Sequence, residues 1–440
     1  MISRQPAPFC EKKLWALQRD TFQYFLRAAN PQNGLVADTT RNGSPASIAA
    51  TGMALSCYPI GVERGYLSRD EAIERTLAAL RFFGKSEQSA ARDATGYRGF
   101  YYHFLDMKNG KRAWKCELST IDTALLLAGV LLAAQFFDLD TARERELRER
   151  AHELYLRVDW RWAQNLDNAP PGHEAISHGW KPETKFQRAR WQGYNEALIL
   201  YALGLGSPTH PLSTESYSSW LSTYRWKKVY GLEYLYCGPL FTHQFSHCWI
   251  DFRGMQDEFM REKGIDYFEN SRRATLVHQE YGRRNTRGFA GYNAWCWGLT
   301  AGDGPGRETK TIAGRARRFF DYRGRGAPYG PDDGTLAPWA ALASLPFAPE
   351  IALPTIENVA ATYPALRGEM GFACGFNPTY GGNTDAGWIS PHYFGIDQGP
   401  VVMMIENHRS EMIWKLMRNC PFISDGLRRA GFLIASGFRI

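Results

Sequence analysis

The sequence predicts an all-α protein built as an α/α toroid, with buried inner helices alternating with amphipathic outer ones. Three observations point there. Helical periodicity dominates the chain. Segments that are apolar nearly all round, such as STIDTALLLAGVLLAAQFF (119–137), are followed by charged amphipathic ones, such as DTARERELRERAHELYLRV (140–158). An all-apolar helix must be enclosed, and an amphipathic one can shield it from water. Long connections rich in glycine and aromatic residues gather at one rim, where short strands can pair.

Each element has its own signal. CEKKLWALQRDTFQYFLRAA (10–29) places Leu14, Leu17, Phe22, Phe25 and Leu26 near one face, and NPQNG stops it. SRDEAIERTLAALRFF (68–83) opens with Ser68 and Glu71, the spacing of a capping box. The 119–137 segment is an inner helix and 140–158 an outer one. The next inner helix starts near Glu196 and the next outer one near Thr214. An outer or connecting helix is expected over 356–366, and GPVVMMIENHRSEMIWKLM (399–417) is inner again. The main connections are 96–116, 234–254 and 321–335. There is no internal repeat, and no Rossmann or P-loop glycine motif.

Bulk numbers bound the function. A chain of 440 residues favours two domains by length alone, yet no linker is visible. Trp 14, Tyr 22 and Phe 25 make the chain 14% aromatic. Such rings suit a core or a cleft that stacks on flat sugar faces. The net charge of +7 is diffuse, because arginines alternate with acids along solvated helix faces. No basic stripe interleaved with aromatics exists, which argues against nucleic acid as a partner. The eight cysteines (Cys10, Cys57, Cys116, Cys237, Cys248, Cys296, Cys374, Cys420) form no CxxC motif and read as buried thiols. MISRQPAPFCEKKLW has no apolar run, and no window reaches the length of a membrane span, so no membrane partner is expected. As written, the chain is expected in the cytoplasm; a periplasmic protein trimmed of its leader reads the same.

The chemistry lies in acids placed among apolar residues. In ARWQGYNEALILYAL (189–203), Glu196 is the only charge in the last thirteen residues. A lone carboxylate in such a setting is costly to ionise. Asp122 in CELSTIDTALLL and Asp397 in FGIDQGPVVMMIENHR also open apolar helices. One such acid is an N-cap; three at comparable ends of inner helices face one cavity in a toroid. A carboxylate pair is the minimum for glycoside hydrolysis: one protonates the leaving oxygen, the other activates water or attacks. Glu196 suits the proton donor, because apolar walls raise its pKa.

Other polar and aromatic residues flank these acids. Glu117, Asp251, Arg253, Gln398 and Glu406 are candidate substrate contacts, and Trp191, Tyr194, Trp249 and Trp388 are candidate sugar-stacking rings. His243 and His247 have i,i+4 spacing, but no third ligand is evident, so they read as sugar contacts or structural groups rather than a metal site. No cofactor is expected.

Five ordered motifs carry a resemblance: GFYYHFLD (99–106), ELSTIDTALLLAGVL (117–131), GYNEALILYALGLGSPTHPL (193–212), QFSHCWIDFRG (244–254) and GIDQGPVVMMIENHRS (395–410). Together they resemble the bacterial glucoamylase-like domain, which includes the β-1,2-glucanases of glycoside hydrolase family 144 and their relatives. The resemblance runs from about residue 11 to about 433. It implies one (α/α)6 toroid over 1–440, which replaces the two-domain expectation. It implies hydrolysis of β-1,2-linked glucan, usually with inversion. It further implies Glu196 as general acid, Asp397 as base with Asp385 in reserve, and Asp122 as a third acidic position. Family members often carry another acid three residues before that position; this chain has Ser119 there. Transglycosylation on the same carboxylates, another glucan linkage and a non-catalytic sugar-binding relative are the competing readings.

Overall fold

The first expected helix is present as α1 (Glu11–Arg27). Leu14, Leu17, Phe22 and Phe25 are buried, and Leu26 is half-buried at the margin of that face. The computed structural model describes residues 11–169, 172–382 and 384–434. Cys10 therefore lies outside the described residues, and no disulfide joins the other seven cysteines.

The helices that follow are α2 (Ile48–Glu63), α3 (Arg69–Lys85), α4 (Thr120–Phe136), α5 (Ala142–Leu156) and α6 (Trp160–Gln164). Then come α7 (Leu198–Leu205), α8 (Thr214–Leu221), α9 (Glu258–Lys263) and α10 (Tyr267–Arg284). The last are α11 (Pro338–Ala343), α12 (Pro349–Thr362), α13 (Gly395–Ser410), α14 (Met412–Arg418) and α15 (Pro421–Arg429). The Ser68 hydroxyl accepts from the Glu71 N–H and caps α3 as expected. Residues Thr120–Ala134 of α4 are all buried, the inner position its composition requires.

Three boundaries differ from expectation. The 399–417 segment is two helices, because Glu411 takes a left-handed φ of 59° between α13 and α14. The helix expected from Glu196 starts at Leu198, and Glu196 lies in the preceding turn. The helix expected over 356–366 runs earlier, as α12, with Pro349 supplying its first turn.

The chain is rich in helix, as expected, and the short strands expected among its connections include a five-stranded antiparallel sheet. Its strands are β1 (Gly96–Tyr97), β2 (Phe100–Tyr102), β3 (Leu118–Ser119), β4 (Gly179–Lys181) and β5 (Lys185–Phe186), in that spatial order. Aromatic-rich loop sequence pairs here because tyrosine, phenylalanine and tryptophan fit a pleated, half-buried surface. Two-stranded ladders occur elsewhere, among them Thr309–Ile312 with Arg315–Arg318.

Two compact units divide the chain. One comprises the chain up to Tyr24, Arg225–Phe245 and Phe268–Ser410. The other comprises Phe25–Tyr224, Ser246–Tyr267 and the chain from Glu411. In the first, α11 packs on α12 and α13. In the second, α2 packs along α4, α3 lies on α5, and α7 lies against α4 and α15. Helices α2 and α4 meet through glycines. A Cβ on Gly129 would lie 2.0 Å from the Gly52 carbonyl oxygen, so no side chain fits there.

Candidate active site

The second unit gathers its acids where β3 runs into α4. Ser119 ends β3 and caps the helix: its hydroxyl accepts from the Asp122 N–H at 3.2 Å and donates to the Asp122 carboxylate. Asp122 is thus fixed in the first turn of α4, where the helix dipole favours its charge.

Strand register adds the next residues. Tyr102 pairs with Leu118, so His103 comes opposite Glu117, and the His103 N–H donates to the Glu117 carbonyl at 3.0 Å. The side chains follow: His103 Nδ1 lies 2.9 Å from Glu117 Oε1, and Nε2 lies 3.6 Å from Asp122 Oδ2. The His103 carbonyl accepts the Ile48 N–H at 3.3 Å, tying the start of α2 to the same strand. Phe104 stacks on the imidazole at 3.9 Å, and the exposed indole of Trp114 packs against Phe104.

The charges in this cluster are mutually set. The hydrogen bond from His103 holds Glu117 down to about 2. Burial opposes the charge on His103, but Asp122, Glu117 and Asp38 outweigh it and push the imidazole up to about 9. Burial, with a contribution from Asp122, pushes Asp38 up to about 6 against the pull of His103 and Arg41.

Glu196 joins the cluster from the turn before α7. Asn195 Oδ1 accepts the Ala197 N–H at 2.9 Å. Ser246 splints the turn, donating to the Glu196 carbonyl at 3.0 Å and accepting the Ile199 N–H at 3.0 Å. Burial raises the Glu196 carboxyl to about 7, and the charge on Asp122 adds to the rise. A half-buried acid that is still protonated near neutrality has the property a proton donor needs.

Two of the expected rings support this site. Trp191 Nε1 donates to Thr120 Oγ1 at 3.0 Å, and its ring stacks on His178 at 3.9 Å, bracing the start of α4. Tyr194 is largely enclosed and stacks on Tyr267 at 5.9 Å.

The other expected residues lie elsewhere. Trp249 is fully buried, with its indole N–H donating to Ser56 at 2.9 Å, so it offers no ring face to a sugar. Asp251 and Arg253 form a bidentate pair at 2.7 and 2.8 Å. With Trp414, Met417 and Phe432 they line a separate cavity of about 660 Å³ that holds none of the acid cluster. His243 is buried, bonded to the Cys237 carbonyl at 3.1 Å, and burial lowers it to about 4. His247 is buried against Phe252, and its carbonyl accepts the Trp414 indole N–H at 2.7 Å. The two histidines sit in separate short 3₁₀ turns rather than on one helix.

In the first unit, Asp397 is buried in the first turn of α13 beside the Cys374 thiol, and Gln398 donates to the Phe372 carbonyl at 3.4 Å. Glu406 is fully enclosed, accepting from Gln18 at 3.2 Å and from Ser410. That enclosure makes it a packing group of the first unit and not a sugar contact. Trp388 is half-buried in a two-residue strand paired with Phe376–Asn377, and Asp385 is exposed.

The family model Glycoamylase, described as "Putative glucoamylase", matches residues 188–421, a span that includes Glu196 and Asp397. The chain belongs to this glucoamylase family. Members and relatives match well beyond that span. An exo β-1,2-glucooligosaccharide sophorohydrolase (non-reducing end) of Parabacteroides distasonis is 27% identical over 95% of this chain. The chain spans 58% of that relative's length. A crystal structure of a "putative glucoamylase" from Bacteroides uniformis superposes with a TM-score of 0.84 at 29% identity, covering 96% of this chain and 98% of the other. The endo-β-1,2-glucanase of Chitinophaga pinensis, solved with sophorotriose and glucose, superposes with a TM-score of 0.81 at 26% identity over 96% of this chain and 98% of its own.

His103, Asp38 and Trp114 of the acid cluster were not among the residues expected from sequence. His103 and Trp114 stand in or beside a quoted motif, but the residue that gives His103 its chemistry lies fourteen positions away across a strand pair.

Proposed function

We propose that this glucoamylase-family protein hydrolyses β-1,2-linked glucan or its oligosaccharides with inversion of the anomeric carbon. Glu196 protonates the leaving oxygen, directly or through a substrate hydroxyl. The observation that carries the reading is the raised, half-buried Glu196 carboxyl coupled to the buried Asp122. Two β-1,2-glucan hydrolases that resemble the chain over nearly all its length support the linkage. The same coverage supports a single (α/α)6 toroidal domain over the whole chain.

Asp397 is the proposed base, with Asp385 in reserve. Inversion needs room for a water between acid and base, so their carboxyls should lie about 6.5–9.5 Å apart, or further if a hydroxyl or water relays the proton. Asp122 is the third acidic position, and its charge favours the proton on Glu196. Among the described residues no helix is long and apolar enough to cross a membrane.

The test is a product profile on β-1,2-, β-1,3- and α-1,4-glucans. Hydrolysis of the β-1,2 polymer accumulates reducing ends. A constant reducing-end count with changing chain lengths would reassign the reaction to glycosyl transfer.

A further inference from the structure

The His103 ring has a carboxylate at each nitrogen. Nδ1 faces Glu117 at 2.9 Å and Nε2 faces Asp122 at 3.6 Å. A neutral imidazole has one N–H and one lone pair, so one of these carboxylates would meet a lone pair. Only the doubly protonated ring donates toward both. The ring keeps 29% of its side-chain surface exposed, while Asp122 keeps 8%. The imidazole is thus the more exposed partner of the two.

We propose that His103 is a positioning residue of the catalytic acid cluster, an imidazolium that orients Glu117 and Asp122 beside the proposed proton donor Glu196. The proposal rests on the hydrolase reading above, and it gives the cluster a division of labour. The charged groups facing His103 are Asp38 and, behind it, Arg41 from the segment before α2; Glu117 from the approach to β3; and Asp122 from α4. Lys181 and His178 face Glu117 from β4 and its approach, and Asp122 in turn acts on Glu196 in the turn before α7. Two carboxylates contact the imidazolium directly, and a third, Asp38, acts on it through its charge. Without its charge they repel one another, and the next proton goes to whichever is most buried.

His103 couples to Asp122, Glu117 and Asp38, whereas the groups that shift Glu196 do not include it. Loss of the imidazolium therefore moves the acid limb of the pH profile and leaves the basic limb in place. The experiment is the pH dependence of kcat/KM on a linear β-1,2-oligosaccharide for wild type, His103→Gln and His103→Lys. The glutamine variant should shift the acid limb upward by about one pH unit or more, with the basic limb unchanged. Lysine, a cation of different shape, should return the acid limb toward its wild-type position at reduced kcat. A uniform loss with unshifted limbs, or an equal shift in both variants, overturns the proposal and leaves His103 a packing group.

A second readout needs no turnover and no variant. The His103 Cε1 proton of the wild-type protein, located by its contacts with Glu117 and Asp122, should titrate well above the usual histidine range in an NMR pH series. Titration at or below the ordinary value of 6.5 overturns the proposal. An inactive wild type with a high His103 titration would instead remove the hydrolase reading and keep the imidazolium.

Discussion

Replacing Glu196 by glutamine removes the proposed proton donor and almost no volume, and it should do two opposite things. Turnover should fall on the order of 10²- to 10⁴-fold, the usual cost of losing general acid catalysis. Stability should rise, but only at high pH. The ordinary glutamate value is 4.5 and the folded value here is about 7, because burial disfavours the charge and Asp122 adds to it. A folded pKa above the unfolded one means that folding favours the neutral form. That stabilisation is complete below pH 4.5 and is lost as the pH rises through 7. A gap of about 2.5 pH units corresponds to at most about 3 kcal/mol, and solvent at this half-buried residue reduces it. Glutamine stays neutral throughout and escapes the loss. Thermal unfolding of both proteins at pH 4 and pH 8 is the assay. The variant should melt close to wild type at pH 4 and a few degrees above it at pH 8. Near wild-type turnover, or a stability difference that ignores pH, would refute the assignment of Glu196 as a buried proton donor.

The remaining predictions concern the base, metal and packing. Asp397→Asn should lose activity on the scale of Glu196→Gln, whereas Asp385→Asn, at an exposed site, should stay within a few fold in the same reducing-end assay. The reverse order would move the base to Asp385. Activity should survive EDTA; a loss restored by a divalent ion would send attention back to the histidines. Gly129→Ala should lower the melting temperature by several degrees, at about 1–3 kcal/mol for overpacking, because its methyl meets the Gly52 carbonyl. An unchanged melting temperature would show that α2 and α4 separate without cost.

The legible parts were those with a local signal. Helices α3, α4 and α5 followed from a capping box, an unbroken apolar run and an amphipathic pattern. Helix α2 is as buried as α4, yet Gly52, Pro59 and interspersed serine and threonine hide it, because their hydroxyls bond back to helix carbonyls out of sight of any periodicity. The break after Ser410 was invisible because Glu411, a good helix former, takes a left-handed conformation and pairs with Arg253 from a distant segment. The site divided in the same way. Glu196 and Asp122 stood out as isolated acids at the starts of apolar segments. His103 did not, because its role comes from strand register against Glu117. Trp249 and Glu406 were misplaced because a polar or aromatic residue near an acid reads alike whether it faces a cleft or the core.

The most direct test of the central claim is proton NMR of the anomeric signals during the first minutes of digestion of linear β-1,2-glucan. The account predicts new reducing ends that appear in the α configuration and mutarotate later, with no signal from the Glu196→Gln variant on the same timescale. New ends that appear first in the β configuration, or no new ends from the wild-type protein, would contradict it.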